Sequence, residues 1–85
     1  MKSKRTKRFN KLFAELPLYV QEQAREAYEL FKQNPHHPGL HFKCIDPQEP
    51  IYSVRVSRSY RAVGRMEGDT IIWYWIGSHA DYDRL

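Results

Sequence analysis

Two arginines in the second half of the chain are placed where they could bind an anion. Apolar and polar side chains alternate over residues 52–57, the pattern of a half-buried strand, so Arg55 is predicted to point away from the core. Arg61 begins the next predicted strand and can lie on the same face. Paired guanidiniums suit a phosphate, since each offers five donors in a rigid fork. A solvated strand face with incidental arginines would give the same pattern.

A histidine and a tyrosine follow the most apolar predicted strand, residues 70–76. That strand would deliver His79 to its end, where an imidazole can give or take a proton near neutral pH. Tyr82 follows within one turn if the tail is helical. An exposed histidine, and an aromatic side chain that pins the tail to the sheet, would look the same.

The other histidines and the cysteine show no pattern of a site. His36, His37 and His41 are assigned to loop positions, and their spacing from Cys44 does not match metal ligands. Cys44 has no evident activating base and is expected to be a small buried hydrophobe. A single cysteine excludes an internal disulfide and suits a reducing cytoplasm. No metal or other cofactor is therefore expected.

The net charge of +4 is distributed unevenly. One cationic group precedes the first acid, and a second lies in the predicted strands, with an acidic helix between them. The cations are Lys2, Lys4, Arg5, Lys7, Arg8 and Lys11 in the first group, and Arg55, Arg58, Arg61 and Arg65 in the second. This distribution favours a polyanion such as RNA, or an acidic protein segment, as partner. A soluble surface with a basic tail fits the same distribution.

The spacing of apolar residues predicts α+β architecture, with a helical hairpin over residues 7–34. Thr6 is a plausible N-cap, and Asn34-Pro35 stops the second helix. Strands are predicted at residues 40–45, 52–57, 60–66 and 70–76, the last of them central, and a short strand around residues 4–8 is an open alternative. The hairpin is expected to pack on one face of an antiparallel sheet, which leaves the other face for function.

A chain of 85 residues predicts one domain, residues 1–85. At this size about 60–65% of the unfolded chain's surface can be buried, so a deep cleft is not expected. The site should be a shallow surface that a partner or a large substrate completes. No apolar run approaches the roughly 20 residues that span a bilayer, and no signal peptide is evident. The sequence therefore predicts a soluble cytoplasmic protein without a membrane partner.

Three segments, in order, resemble the RelE/ParE toxin superfamily. They are the helical hairpin followed by Asn34-Pro35 and residues 38–43, residues 52–56 followed by residues 60–63, and residues 73–79 followed by Tyr82. The resemblance implies a small curved antiparallel sheet with two helices on one side. It also implies the toxin of a bacterial type II toxin–antitoxin system, neutralised by an acidic antitoxin. Many members cut mRNA inside the translating ribosome, whereas the ParE branch poisons DNA gyrase.

Residue by residue, the resemblance assigns catalytic roles to Arg55, Arg61, His79 and Tyr82. It also matches Lys43 to a further basic position. Contacts with RNA are expected from Lys4, Arg5, Lys7, Arg8, Lys43 and Arg58. The pairing of histidine and tyrosine after the last strand favours a metal-independent mRNA endoribonuclease. A gyrase poison, and a decayed toxin that only binds its antitoxin, are the alternatives.

Overall fold

The computed structural model describes all of residues 1–85. In chain order the elements are β1 (Lys2–Arg5), α1 (Lys7–Ala14), α2 (Leu18–Gln33), β2 (Lys43–Asp46), β3 (Ile51–Ser57), β4 (Tyr60–Glu67), β5 (Thr70–Ser78) and α3 (His79–Tyr82). A short 3₁₀ turn, Pro38–Leu40, precedes β2. No helix combines the length and hydrophobicity that crossing a bilayer requires.

The predicted helical hairpin is confirmed. The Thr6 hydroxyl caps α1 by accepting a hydrogen bond from the backbone N–H of Phe9 at 3.1 Å. The second helix, α2, starts directly after Pro17 and ends where Asn34 becomes extended ahead of Pro35.

The strands form one sheet in the order β1-β5-β4-β3-β2. The α+β class with the helices packed on a sheet is confirmed, but the sheet is mixed because β1 pairs parallel to β5. Parallel neighbours need a long crossover, and the rest of the chain between β1 and β5 provides it. The middle strand is β4, whereas β5, predicted to be central, lies between β4 and β1.

One face of the sheet carries the core. Val54, Ala62 and Ile76 pair across β3, β4 and β5 and are buried against aromatic side chains, among them Phe9 of α1 and Phe31 of α2. A register shift in the β4–β5 pairing matches Val63 with Trp75 and Gly64 with Trp73, so Tyr74 has no partner. This β-bulge changes which side chains of β5 share a face.

Three local predictions need correction. The strand predicted from residue 40 starts at Lys43, because Leu40 belongs to the 3₁₀ turn and His41 adopts a left-handed φ of 46°. The last strand, predicted to end at residue 76, continues to Ser78 in β5, and the tail after it takes the helical option that the sequence left open, as α3. Cys44, expected to be buried, is exposed, since β2 is an edge strand.

Candidate functional site

Arg55 and Arg61 are direct neighbours across two strands. They pair with each other in the β3–β4 ladder, and Arg61 pairs with Gly77 in the β4–β5 ladder. The neighbouring cross-strand pair, Val54 and Ala62, packs on the helices. Side chains alternate along a strand, so the two arginines occupy the face away from the helices, here called the open face. Like charges directly opposite each other repel, which favours an anion between them.

The Arg61 guanidinium is partly buried without a partner. Its Nε and Nη1 atoms are inaccessible to solvent and make no hydrogen bond. Its Cζ lies 5.4 Å from the centroid of the Tyr82 ring. No acidic side chain forms an ion pair with Arg61 or Arg55. A buried donor without an acceptor costs about 1–3 kcal/mol, so this geometry favours an incoming anion such as a phosphate.

Two aromatic side chains, Trp75 and Tyr82, lie beside Arg61. Trp75 lies on the open face and is only 6% exposed. Its indole packs over Gly77, where an added Cβ would come within 2.7 Å of a ring carbon. The ring centroids of Trp75 and Tyr82 are 6.4 Å apart. Glycine at residue 77 therefore leaves the space that the indole occupies, and the indole holds Tyr82 beside Arg61.

His79 opens the short helix α3 and lies next to Tyr82, with ring centroids 5.9 Å apart. Its backbone N–H donates to the carbonyl oxygen of Ser59 at 2.7 Å, which ties α3 to the β3–β4 turn. Its Nδ1 lies 3.2 Å from a carboxylate oxygen of Asp83, and the side chain is 46% exposed. A proton on Nδ1 would be held by that carboxylate, leaving Nε2 to exchange a proton with a substrate.

The structure therefore brings together the four residues that the sequence predicted to be catalytic. Arg55 faces Arg61, Arg61 contacts Tyr82, and Tyr82 contacts His79. No three histidine, cysteine, aspartate or glutamate side chains are grouped so that they could hold a metal ion. The chemistry available to these side chains is proton transfer by an imidazole and stabilisation of an anion by guanidiniums.

The residues predicted to bind RNA are more widely spread. Lys4 and Arg5 lie on β1, Lys7 and Arg8 on α1, Lys43 on β2 and Arg58 in the turn after β3, and all are exposed. Lys43 pairs with Ser53, and Ser53 pairs with Val63. Lys43 therefore lies on the open face, next to the cross-strand pair formed by Arg55 and Arg61. The parallel pairing of β1 brings the N-terminal cations alongside β5. Arg58 is next to Ser59, the residue that anchors α3.

Sequence reasoning missed three residues of this region. Ser53 is fully buried and its hydroxyl has no hydrogen-bond partner. Asp83 orients His79, and Trp75 supports Tyr82. Strict alternation along β5 would place Trp75 with Trp73 on the core side, and only the bulge at Tyr74 separates them. No signal in the sequence marks that bulge.

A second feature lies between the helices and the sheet. An apolar cavity of about 420 Å³ opens there, and its lining contains three cations, Lys4, Arg5 and Arg25, but no acid. Its apolar lining includes Phe9, Phe13, Ala24, Ala27, Phe31 and Val56. Protein interiors are normally close-packed, so an apolar groove of this size suits the apolar side chains of a partner. We call it the hairpin groove.

The sequence matches the family model described as a ParE-like toxin domain over residues 18–84, and the chain belongs to that family. It therefore contains a ParE-like toxin domain. No curated protein matches it.

Solved structures share the fold. The RelB–RelE antitoxin–toxin complex from Methanococcus jannaschii is 21% identical with a TM-score of 0.75, over 96% of this chain and 98% of that chain. The RelBE2 toxin–antitoxin complex from Mycobacterium tuberculosis is 16% identical with a TM-score of 0.71, over 92% and 96%. The YoeB/ParE toxin from Agrobacterium tumefaciens is 15% identical with a TM-score of 0.70, over 93% and 99%.

Proposed function

We propose that this toxin is a metal-independent endoribonuclease that cuts mRNA on the ribosome. The observation that carries the proposal is the Arg61 guanidinium, which is partly buried without an acceptor, faces Arg55, and is linked through Tyr82 to His79. An RNA phosphate supplies the missing acceptors, and Arg recognises phosphate through paired hydrogen bonds.

The reaction needs no nucleophile other than a hydroxyl of the RNA itself. The ribose 2′-oxygen bonds to the adjacent phosphorus as its proton leaves. The bond from phosphorus to the 5′-oxygen breaks as that oxygen takes up a proton, which gives a 2′,3′-cyclic phosphate and a 5′-hydroxyl end. Nε2 of His79 would carry one of these protons, and a solvent water would accept or supply the other. Arg55 and Arg61 would stabilise the charge on the pentacovalent phosphate, as donors do in an oxyanion hole. Tyr82 would orient the phosphate or stack on a base.

The shallow open face implies that the substrate arrives already held in place. Orientation of reacting groups can lower a barrier by about 7–11 kcal/mol. A ribosome that holds the mRNA extended would supply this contribution. The exposed cations at residues 4–8 would contact ribosomal or messenger RNA phosphates.

An acidic antitoxin is the partner that this surface suits. Its acids would bind the cations of the open face, and its apolar side chains would fill the hairpin groove, whose lining carries cations and no acid. A disordered segment that folds on binding could reach both faces at once. Co-expression with the small protein encoded next to the toxin tests this. Failure of that protein, or of any other, to bind the chain and restore growth would overturn the partner proposal.

A gyrase poison is the second candidate, because the matching family model is described as ParE-like. Primer extension on translated mRNA, run beside a gyrase supercoiling assay, separates the two. We expect new 5′ ends with the wild-type toxin and none with an Arg61→Ala/His79→Ala variant. Inhibition of supercoiling without new RNA ends would establish the gyrase alternative. Growth without arrest, together with retained antitoxin binding, would identify a decayed toxin.

A further inference from the structure

The β-bulge in β5 singles out Tyr74. This residue has no partner in β4, because Val63 pairs with Trp75 and Gly64 with Trp73. Trp73, the residue before it, packs on the core, so alternation along β5 directs the half-buried Tyr74 to the open face. Bulges are over-represented beside active sites, where they redirect a side chain. Tyr74 takes no part in the candidate catalytic cluster, the group formed by Arg55, Arg61, His79 and Tyr82.

Two arginines from different elements lie near Tyr74. Arg65 of β4 pairs with Ile72, two residues before Tyr74, and Arg8 lies in the first turn of α1, which follows the strand paired with β5 up to Trp73. Burial raises the pKa of the phenol, and the charges of Arg8 on α1 and Arg65 on β4 oppose that rise without cancelling it. The phenol therefore stays protonated at neutral pH and can donate a hydrogen bond. Arg65 also forms a 3.5 Å ion pair with Glu49, but both side chains are more than half exposed, so the pair contributes little and can give way to a phosphate.

Tyr74 and Arg65 lie on the same face of the sheet as the candidate catalytic cluster and within reach of it. Arg61 and Arg65 occupy the same strand and the same face, four residues apart, which corresponds to about 13 Å at the usual rise of a strand. A short single-stranded segment bound at Arg61 would reach Tyr74 while lying along β4 and β5. Its backbone would then pass Arg65 on the open face.

We propose that Tyr74, Arg8 and Arg65 form a second nucleotide subsite, in which a base flanking the cleaved bond stacks on the Tyr74 ring and its phosphate binds the two guanidiniums. The inference rests on the proposed ribonuclease function. Aromatic rings with neighbouring cations are the usual platform for single-stranded RNA, because every base has a face that can stack.

Single-turnover cleavage of mRNA on programmed ribosomes tests the subsite. Stacking of one base contributes about 1–3 kcal/mol, so Tyr74→Ala should raise the toxin concentration for half-maximal cleavage by about 5–150-fold. The rate at saturation should change less, because the base lies outside the reacting bond. Tyr74→Phe and Tyr74→Trp should keep activity. Tyr19→Ala is the matched control, since Tyr19 is 64% exposed on α2.

A base deletion in the mRNA makes the test specific. Each mRNA carries one abasic nucleotide, at a different position on either side of the cut. At one of these positions the missing base should slow cleavage by the wild-type toxin. At that position Tyr74→Ala should show no additional loss, because the two changes remove the same interaction. Tyr74→Leu, which keeps apolar volume but cannot stack, should repeat the result if the alanine variant unfolds. Equal half-maximal concentrations for wild type and folded Tyr74 variants would overturn the subsite alone, whereas absence of cleavage by wild type would overturn the proposed function.

Discussion

Replacing Arg61 with methionine should make the free protein more stable and the toxin inactive. The side chain has two buried nitrogens, Nε and Nη1, whose N–H groups have no acceptor, and it faces Arg55 across the ladder. Methionine fills similar space without these donors or the charge. A residue that is unfavourable for folding but placed for function is the expected signature of a binding site.

The magnitude follows from the interactions that the substitution removes. Each buried unpaired donor costs about 1–3 kcal/mol, and relief of the repulsion from Arg55 adds about 0.2–1 kcal/mol. In the other direction, methionine cannot make the cation–π interaction with Tyr82, which spans 5.4 Å in the wild-type protein. That interaction contributes about 0.5–2 kcal/mol, and a methionine sulfur beside the ring recovers part of it. The net gain is therefore a few kcal/mol, roughly 3 kcal/mol at the centre of these ranges, and each kcal/mol corresponds to about 4–8 °C in Tm for a domain of this size.

Thermal unfolding and primer extension on the same preparations measure both effects. Arg84→Met is the matched control, because Arg84 is 81% exposed and its ion pair with Asp81 is long at 3.8 Å. Its stability should change by no more than about 0.5 kcal/mol. A fall in the Tm of Arg61→Met below that of the control would show that the buried N–H groups are not a source of instability. Full cleavage by Arg61→Met would show that the guanidinium does not bind the reacting phosphate.

Three further outcomes are expected. Substituting alanine for His79 should reduce cleavage by about 10²–10⁴-fold with the fold intact. Asp83→Asn should reduce cleavage less. An unchanged growth arrest with His79→Ala would remove His79 from the mechanism. Neutralising the cations at residues 4–8 should make the slope of log ribosome affinity against log salt concentration shallower, by about 0.7–0.9 for each phosphate contact that is lost. An unaltered slope would assign these cations another role. Ala27→Trp, which fills the hairpin groove, should weaken antitoxin capture but not cleavage, with Ala14→Trp as control; undiminished capture would separate the groove from the antitoxin.

Local patterns were sufficient for most of the fold. The α1 cap at Thr6, the end of α2 before Pro35 and the turn at Gly68 with its φ of 62° each depend on residues close in the chain, so the sequence determines them directly. Alternation along β3 likewise indicated that Arg55 faces away from the core, and the β3–β4 turn brought Arg61 opposite it.

Long-range pairing decided the rest. The parallel partner of β5 comes from the opposite end of the chain, and no local pattern specifies its direction. The bulge at Tyr74 moves Trp75 to the open face, because one extra residue reverses the alternation of the strand. The sequence by itself thus determined the helical hairpin and the strands β3, β4 and β5, and it indicated the candidate catalytic residues. Only the tertiary structure decided that Arg61 would be partly buried without an acceptor beside Tyr82, since burial depends on packing between distant segments.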